Sequence, residues 1–432
     1  MMPHFKDVPR PEFHSGETTS IRMRSWLLWA SEKDPLGHKV HLTLGVAALV
    51  LIPLSSTLAS IGSTLVIGYA ILRCHVLYQA WKEMFLNPCV LVLFGLYVWL
   101  AISITWSLDP DHGIRLIRGS RYLLLIPALA PLLLNLRTLL FGPCIALAIV
   151  LPCQLYGYMT GNSALLQGGL SEHPGFLGIW MTVSSAALVF ATKSNPIGLW
   201  GNRLAPLSMC AITFSAARSV LLAAGTSLIA GLLLVAFYNQ KFRKRITWTV
   251  IAMLATGAVM TFFFDSEMSR RLSQYIESPN AKNAAQSDFP IDGARPLWWR
   301  VGIDNYLQNP IVGSGMGSAE PLIHGDKEVD DVTSAGSRNQ FVLRDDFHSS
   351  YITALSETGS IGGLLFAGWI LLVFAKTFSR AEASPILLAT LVAYLIFAIF
   401  NTTFYSGRLV AITAYLTVLA LSVCPQLESK NE

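Results

Sequence analysis

The sequence predicts an all-α polytopic membrane protein. Of the 432 residues, 53% are hydrophobic and only 13% are charged, which is more apolar surface than one soluble core can bury. Apolar stretches of about 17 to 22 residues, long enough to cross a hydrocarbon core of about 30 Å, recur along almost the whole chain. Strands of alternating polar and apolar residues are not seen in the sequence, so helices must satisfy the backbone hydrogen bonds inside the membrane.

About twelve apolar stretches are predicted to span the membrane. They lie at about 40–54, 57–73, 88–106, 121–135, 138–158, 174–192, 197–214, 219–238, 247–264, 350–375, 384–401 and 407–424. An even number of spans places both termini on the same side of the membrane.

Lysine and arginine set the expected orientation. They concentrate in alternate loops, such as the basic run at 241–245, whereas the opposite loop at 159–173 contains neither residue. The positive-inside rule makes the basic loops cytoplasmic. The formal charge of +5 is therefore an orientation signal rather than the footprint of a nucleic-acid partner.

This topology divides the chain into four regions. Residues 1–38 form a cytoplasmic tail or an interfacial helix, for which the sequence Met23 to Trp29 supplies basic and tryptophan anchors. Residues 39–264 hold the first nine spans. Residues 265–348 form a periplasmic loop with short helices of its own, since ordinary connections are much shorter. Residues 349–432 hold the last three spans and a cytoplasmic C-terminus.

No metal or cofactor site is expected. The six cysteines lie in or beside apolar stretches without CxxC spacing, which indicates neither a disulfide framework nor a zinc site. Asp109-Pro110-Asp111 resembles the paired aspartates that bind a metal-nucleotide in many glycosyltransferases. The alternative is that Asp109 caps a helix whose first residue is Pro110, and this is the interpretation we favour.

His348 lies where the longest polar segment of the chain meets an apolar one. An imidazole is mostly neutral near pH 7, so His348 could act as a general base on a lipid-borne substrate. The alternative is a helix N-terminal residue bonded to the backbone. Helix capping explains Asp345 and Asp346, which precede it. Glu357, about 13 Å further along a helix, is expected to make a structural hydrogen bond to another span.

Several arginines lie on the predicted outer face, where the positive-inside rule does not place them. They are Arg115, Arg118, Arg121, Arg218, Arg295 and Arg300. A guanidinium suits a phosphate or diphosphate because its donors form a fixed fork, although a lone boundary arginine can also be an interface anchor. Arg295 opens a predicted helix with Pro296 in its first turn, and Asn309-Pro310 ends that helix before a tight turn at Gly313, Gly315 and Gly317.

These residues resemble the bacterial O-antigen ligase and O-antigen polymerase superfamily. The residues that carry the resemblance after the long outer loop are His348, Leu355, Glu357, Gly359 and Gly362. The segment from Arg295 to Pro310 with its glycines resembles the loop pattern of the family, and Ser215 to Leu222 resembles its arginine-bearing span. The motifs are specific over about 215–222 and 295–366, and residues 1–38 lie outside the resemblance.

The resemblance implies a GT-C-like fold and glycan transfer from an undecaprenyl-diphosphate carrier at the periplasmic face of the bacterial inner membrane. Arg218 and Arg295 would hold the diphosphate, and His348 would activate the acceptor hydroxyl. Arg300, with Arg118 and Arg121, would assist in binding diphosphate or glycan. The acceptor would be the lipid A-core or a growing glycan, and the protein would contact membrane lipid. The reaction would require neither a metal nor a nucleic acid.

One feature departs from the family pattern. The outer loop contains the acidic run Glu328-Val329-Asp330-Asp331, which would repel a phosphorylated acceptor unless it points away.

Alternative functions remain open. We predict a ligase, but a polymerase of repeat units would use the same residues. A transporter or flippase, the alternative from another class, would place ionisable groups at the midplane and show repeated halves, whereas the charged residues here cluster at the outer face.

Overall fold

The computed structural model contains helices and no strands in the part of the chain that it describes, which confirms the predicted all-α class. The described residues are 8–13, 17–162, 165, 174–190, 196–215, 218–238, 240–263, 290–326, 346–378, 384–403 and 407–422.

Most of the helices coincide with the predicted apolar stretches. The first helices are α1 (Thr19–Lys33), α2 (Pro35–Leu51), α3 (Ser56–Leu72), α4 (Cys74–Phe85), α5 (Pro88–Ser103), α6 (Pro110–Ile117), α7 (Leu125–Leu129) and α8 (Leu136–Thr160). They are followed by α9 (Pro174–Phe190), α10 (Pro196–Phe214), α11 (Arg218–Tyr238), α12 (Gln240–Phe263), α13 (Pro290–Gln308), α14 (Ala319–His324), α15 (Ser350–Thr377), α16 (Ser384–Phe400) and α17 (Gly407–Ser422).

Several helices can cross a membrane by length and composition. In the described residues these are 5 helical stretches, or up to 6 if the bent pair α3 and α4 forms one span. The other apolar helices have 10–17 residues. The chain is therefore multi-pass, and the number of twelve spans stays a prediction.

The span predicted at 121–135 lies within Pro110–Asn135, one of the stretches long and apolar enough to cross a membrane, but it is not a single α-helix. It consists of the short helix α7 between two 3₁₀ segments, Arg118–Leu124 and Ala130–Asn135. Pro127 and Pro131 explain the difference, because each lacks the N–H that an α-helix needs for its hydrogen-bond ladder.

The N-terminal helices form an elbow at the end of the bundle where α2 begins. Helices α3 and α4 meet at an angle of 102°, and α1 packs along α4. At the corner, Arg73 is buried, its Nε lies 2.8 Å from Asp34 Oδ2 and its Nη1 lies 3.2 Å from His41 Nδ1. Arg73 therefore joins the start of α2 to the end of α3.

Polar side chains join helices inside the bundle. The hydroxyl of Ser185 on α9 donates to Ser208 on α10 at 2.6 Å, and Trp369 Nε1 on α15 donates to Thr417 on α17 at 3.1 Å. Helices surrounded by lipid gain little from apolar burial, so such hydrogen bonds and close packing hold them together.

Helix α15 is broken at Gly359, and the segment after α13 fills the break. Gly359 has φ 65° and ψ −166°, a conformation essentially restricted to glycine. The Ser360 N–H donates to Pro310 O at 2.8 Å, and the Gly315 N–H donates to Glu357 O at 2.8 Å. We call residues 310–318 the glycine loop; its backbone satisfies groups that an unbroken helix would pair internally.

The predicted turn at the glycines of this loop is confirmed. Helix α13 ends at Gln308, directly before Asn309-Pro310, and Gly313, Gly315 and Gly317 all have positive φ. A Cβ at Gly315 would collide with the backbone of Ser107, so the glycines also permit close packing against the segment that follows α5.

We expect Gly359→Ala to destabilise the fold by about 2 kcal/mol or more, because alanine is strained at this φ and ψ. Its Cβ would also collide with the carbonyl group of Ile311. Gly225→Ala in α11 is the matched control, since a Cβ there meets nothing within 4 Å. Thermal unfolding of the purified variants in detergent would measure the difference, and equal melting temperatures would contradict the role of the break.

Candidate active site

The start of α15 is bound to the segment that joins α16 to α17. The Ser350 hydroxyl donates to Asn401 O at 2.7 Å and accepts from the Thr403 N–H at 2.8 Å. Thr403 in turn bonds the buried hydroxyl of Tyr394 at 2.8 Å. The residues that precede Ser350 are therefore held at the end of the bundle where α15 and α17 begin.

Helices α9 and α11 begin at this same end. Arg408, near the start of α17, places its guanidinium 4.4 Å from the centroid of the Phe176 ring near the start of α9. A Cβ at Gly178 would touch Val220, so α9 closely approaches the start of α11. We call the end where α9, α11, α15 and α17 begin the site end. Their N-termini carry partial positive charge, which favours anions.

His348 has an unusual backbone at the site end. Its φ is 51°, and among the described residues it is the one non-glycine residue with positive φ. The Asp346 carboxylate accepts a 2.6 Å hydrogen bond from the His348 N–H and so stabilises this turn. A conformation of this kind costs about 1 kcal/mol or more and is typical of functional positions.

The imidazole of His348 is fixed from two sides. It stacks on Trp298 of α13, with ring centroids 5.3 Å apart and an interplanar angle of 27°. Its Nδ1 lies 3.8 Å from Asp346 Oδ1, and the side chain is 15% exposed. Trp298 belongs to a small buried cluster with Val301, Ala319, Ile323 and Phe347. The fold thus orients the ring, and its Nε2 is buried.

The predicted capping role of Asp346 is wrong. The N-cap residue of α15 is Ser349, which makes no side-chain capping bond, and Asp346 bonds the N–H of His348 instead. Asp345 lies outside the described residues. The Asp346 carboxylate, which was expected at the N-terminus of α15, instead bonds within the tight turn at His348.

Arg295 and Arg300 lie on α13, the helix that supplies Trp298. The helix begins at Pro290 rather than at Arg295, so Pro296 is internal. Arg295 is half-buried one turn before Trp298. Arg300 Nη2 lies 3.1 Å from Asp326 Oδ1, so this arginine is engaged in an ion pair.

The other predicted arginines lie at the site end without a contact to His348 that the structure defines. Arg218 is the first residue of α11, and its side chain lies outside the described part of the structure. Arg118 and Arg121 are exposed in the 3₁₀ segment that packs against α17. Arg121 donates to the Ser60 hydroxyl at 3.1 Å. The structure defines the positions of the segments that carry these arginines, but it does not define a cluster of their side chains around His348.

Arg408 was not among the arginines predicted from the sequence, although it carries the same signal. Arg408 follows the short outer loop between two predicted spans, 384–401 and 407–424. The positive-inside reasoning that selected Arg218 selects Arg408 equally. It adds a guanidinium to the site end.

Asp109 caps α6, as predicted. Its Oδ1 accepts from the His112 N–H at 2.8 Å, and Pro110 occupies the first turn. Asp111 is exposed in this turn.

Asp109, His112 and Glu320 could together offer three ligand atoms within 4.8 Å of one another. His112 Nδ1, however, lies 2.9 Å from Glu320 Oε2 and 3.3 Å from Arg115 Nη2. A guanidinium beside the nitrogen donor opposes a bound cation. The donor set therefore fits a clamp between α6 and α14 better than a metal centre.

Glu357 makes structural hydrogen bonds to backbone N–H groups. The side chain is fully buried, and Oε1 accepts from the Gly317 N–H at 3.1 Å and the Ala319 N–H at 3.0 Å. These two bonds join α15 to the glycine loop and to the start of α14. Two backbone donors explain how a carboxylate is accommodated there.

Two further parts of the predicted outer loop lie outside the described residues. They are residues 265–289 and the acidic run from Glu328 to Asp331.

The fold and site define a multi-pass membrane protein with a histidine and several arginines at one end of its helices. Residues 204–367 match the model of the O-antigen ligase family. This match confirms, for this part of the chain, the resemblance to the O-antigen ligase and polymerase superfamily that the sequence shows. The match supports a glycosyltransferase-like enzyme with lipid-linked glycan substrates. No match was found among curated proteins.

We expect Glu357→Ala to destabilise the protein, since two buried N–H groups lose their acceptor at about 1–3 kcal/mol each. Glu357→Gln is the matched control, because its amide oxygen can still accept from both donors. Melting temperatures and glycan transfer should be measured together. If Glu357→Gln abolishes transfer at an unchanged melting temperature, the carboxylate has a chemical role and the structural assignment is wrong.

Proposed function

We propose that this protein is an O-antigen ligase. It transfers a glycan from undecaprenyl diphosphate to a hydroxyl of the lipid A-core at the periplasmic face of the inner membrane. The observation that carries the proposal is the placement of His348, which is fixed in a strained turn at the site end. That end also holds the starts of four helices and Arg408, and His348 lies within the segment that matches the family.

The charge distribution supports a periplasmic site. Helix α11 runs from Arg218 at the site end to Tyr238, directly before the basic residues at 241–245 near the start of α12. The positive-inside rule assigns the basic run to the cytoplasm. The site end is then the periplasmic end, and residues 265–348 form a periplasmic loop whose described part, α13 to α14, packs over α15.

The reaction needs a base on one side of the anomeric carbon and an anion-stabilising group on the other. His348 takes the proton of the acceptor hydroxyl as its oxygen attacks the anomeric carbon. The bond between that carbon and the diphosphate oxygen breaks, and its electron pair leaves with the diphosphate. A single displacement of this kind inverts the configuration, and the imidazolium then returns its proton to solvent.

Arginines supply the charge that the leaving diphosphate requires. Arg218 and Arg295 bind the diphosphate in this proposal, since guanidinium groups form paired, charge-assisted hydrogen bonds with phosphate oxygens. Arg300 assists less directly because it is paired with Asp326. The exposed Arg118 and Arg121 are suited to the glycan or to outlying phosphates. These arginines neutralise the charge of the leaving diphosphate, as a metal ion does in other transferases.

Three alanine variants test the site. His348→Ala, Arg218→Ala and Arg295→Ala should each reduce transfer by about 10²-fold or more, since each removes a group that acts in the transition state. Arg24→Ala is the control, because Arg24 is exposed on α1 within the N-terminal elbow. Lipopolysaccharide gels and transfer to purified acceptor would report activity, with membrane insertion checked by fractionation. Full activity in all three variants would overturn the assignment.

The lipopolysaccharide of a deletion strain separates ligase from polymerase. A ligase deletion should remove all capped lipopolysaccharide and accumulate carrier-linked polymer. Core bearing one repeat unit would instead identify a polymerase that uses the same residues.

We expect transfer to continue in the presence of EDTA, because the arginines rather than a metal neutralise the diphosphate. Activity of purified protein before and after chelation would measure this. Loss of activity that a divalent cation restores would contradict the metal-free mechanism.

A further inference from the structure

We infer that Asp346 is a positioning residue for His348, which rests on the proposed function. Its carboxylate holds the Nδ1–H of the imidazole, leaves Nε2 as the proton acceptor, and stabilises the imidazolium that forms during transfer. The sequence offered only a helix cap for this aspartate, and the structure removes that explanation because Asp346 does not bond the start of α15.

Asp346 binds the backbone of His348 and faces its ring with the same oxygen. Oδ1 accepts from the His348 N–H at 2.6 Å and lies 3.8 Å from His348 Nδ1. The turn thus brings carboxylate and imidazole together within three residues of chain. A distance of 3.8 Å exceeds that of a hydrogen bond, but such contacts often tighten only when substrate binds.

Trp298 limits the motion of the imidazole. The stacked indole holds the plane of the ring, and Trp298 itself is only 3% exposed among apolar neighbours. With one face fixed by Trp298, rotation about the last side-chain bond is restricted, and Nδ1 stays on the side of Asp346. The hydrogen bond at one ring nitrogen determines which nitrogen is free to act as a base.

Among the described residues, Asp346 is an acidic side chain with a defined distance to this ring. On α13 the described charged side chains are Arg295, Arg300 and Asp304, and on α14 they are Glu320 and His324. Glu320 is engaged by His112, and Arg300 is engaged by Asp326. The segment 401–403, which bonds Ser350, contains no charged residue.

Asp346→Asn separates a charge effect from a structural one. Asparagine keeps the oxygen that accepts from the His348 N–H and suits such turns, but it loses the charge. We expect kcat to fall by about tenfold or more, with the KM for the lipid-linked donor and the melting temperature unchanged. The acid limb of the pH–rate profile should shift to lower pH, because the imidazolium loses its anionic neighbour.

Asp346→Ala, which also loses the turn, should lower both kcat and the melting temperature. Wild-type kcat and pH profile in Asp346→Asn would overturn the inference, whatever the effect of the alanine variant. His348→Ala keeps the two proposals apart. An inactive His348→Ala with a wild-type Asp346→Asn refutes only the positioning role, whereas an active His348→Ala refutes the proposed function itself.

Discussion

The break in α15 and the glycine loop that fills it determine the geometry of the site. A helix interrupted at Gly359 leaves backbone groups exposed inside the protein, where unpaired polar groups are costly. The glycine loop supplies the missing partners, and Glu357 accepts from the loop in return. Because the loop directly follows α13, this exchange fixes α13 against α15. Trp298 is thereby brought against His348, and Arg295 lies one turn away on the same helix.

The site combines a strained turn with strong support from its surroundings. The positive φ of His348 is unfavourable for a side chain with a Cβ, yet Asp346 bonds its N–H, Trp298 stacks on its ring, and Ser350 anchors the following residues to Asn401 and Thr403. A strained backbone conformation such as the positive φ of His348 persists only where the surrounding contacts hold it in place. Helix N-termini and arginines provide positive charge at the same end, a suitable environment for the anionic leaving group of the proposed reaction.

Features controlled by local chemistry were predictable from the sequence. Proline at position 310 ends α13, the glycines of the loop take positive φ, and Asp109 with Pro110 starts α6, each because neighbouring backbone atoms set the preference. Hydropathy predicted a span at 121–135, and the stretch Pro110–Asn135 is long and apolar enough to cross a membrane, although it is not one continuous α-helix. The local pattern was misleading for Asp346, for which helix capping was expected, because the turn at His348 binds its carboxylate.

The sequence by itself determined the helical membrane class, the expected orientation from lysine and arginine, and the residue types available at the outer boundary. These depend on composition and on periodicity within single elements. Only the tertiary structure decided that Arg300 pairs with Asp326, that Glu357 binds the glycine loop, and that Arg408 lies against Phe176. It also decided that His348 stacks on Trp298. Such pairings join residues distant in the chain, and their energies depend on helix packing that no local pattern encodes.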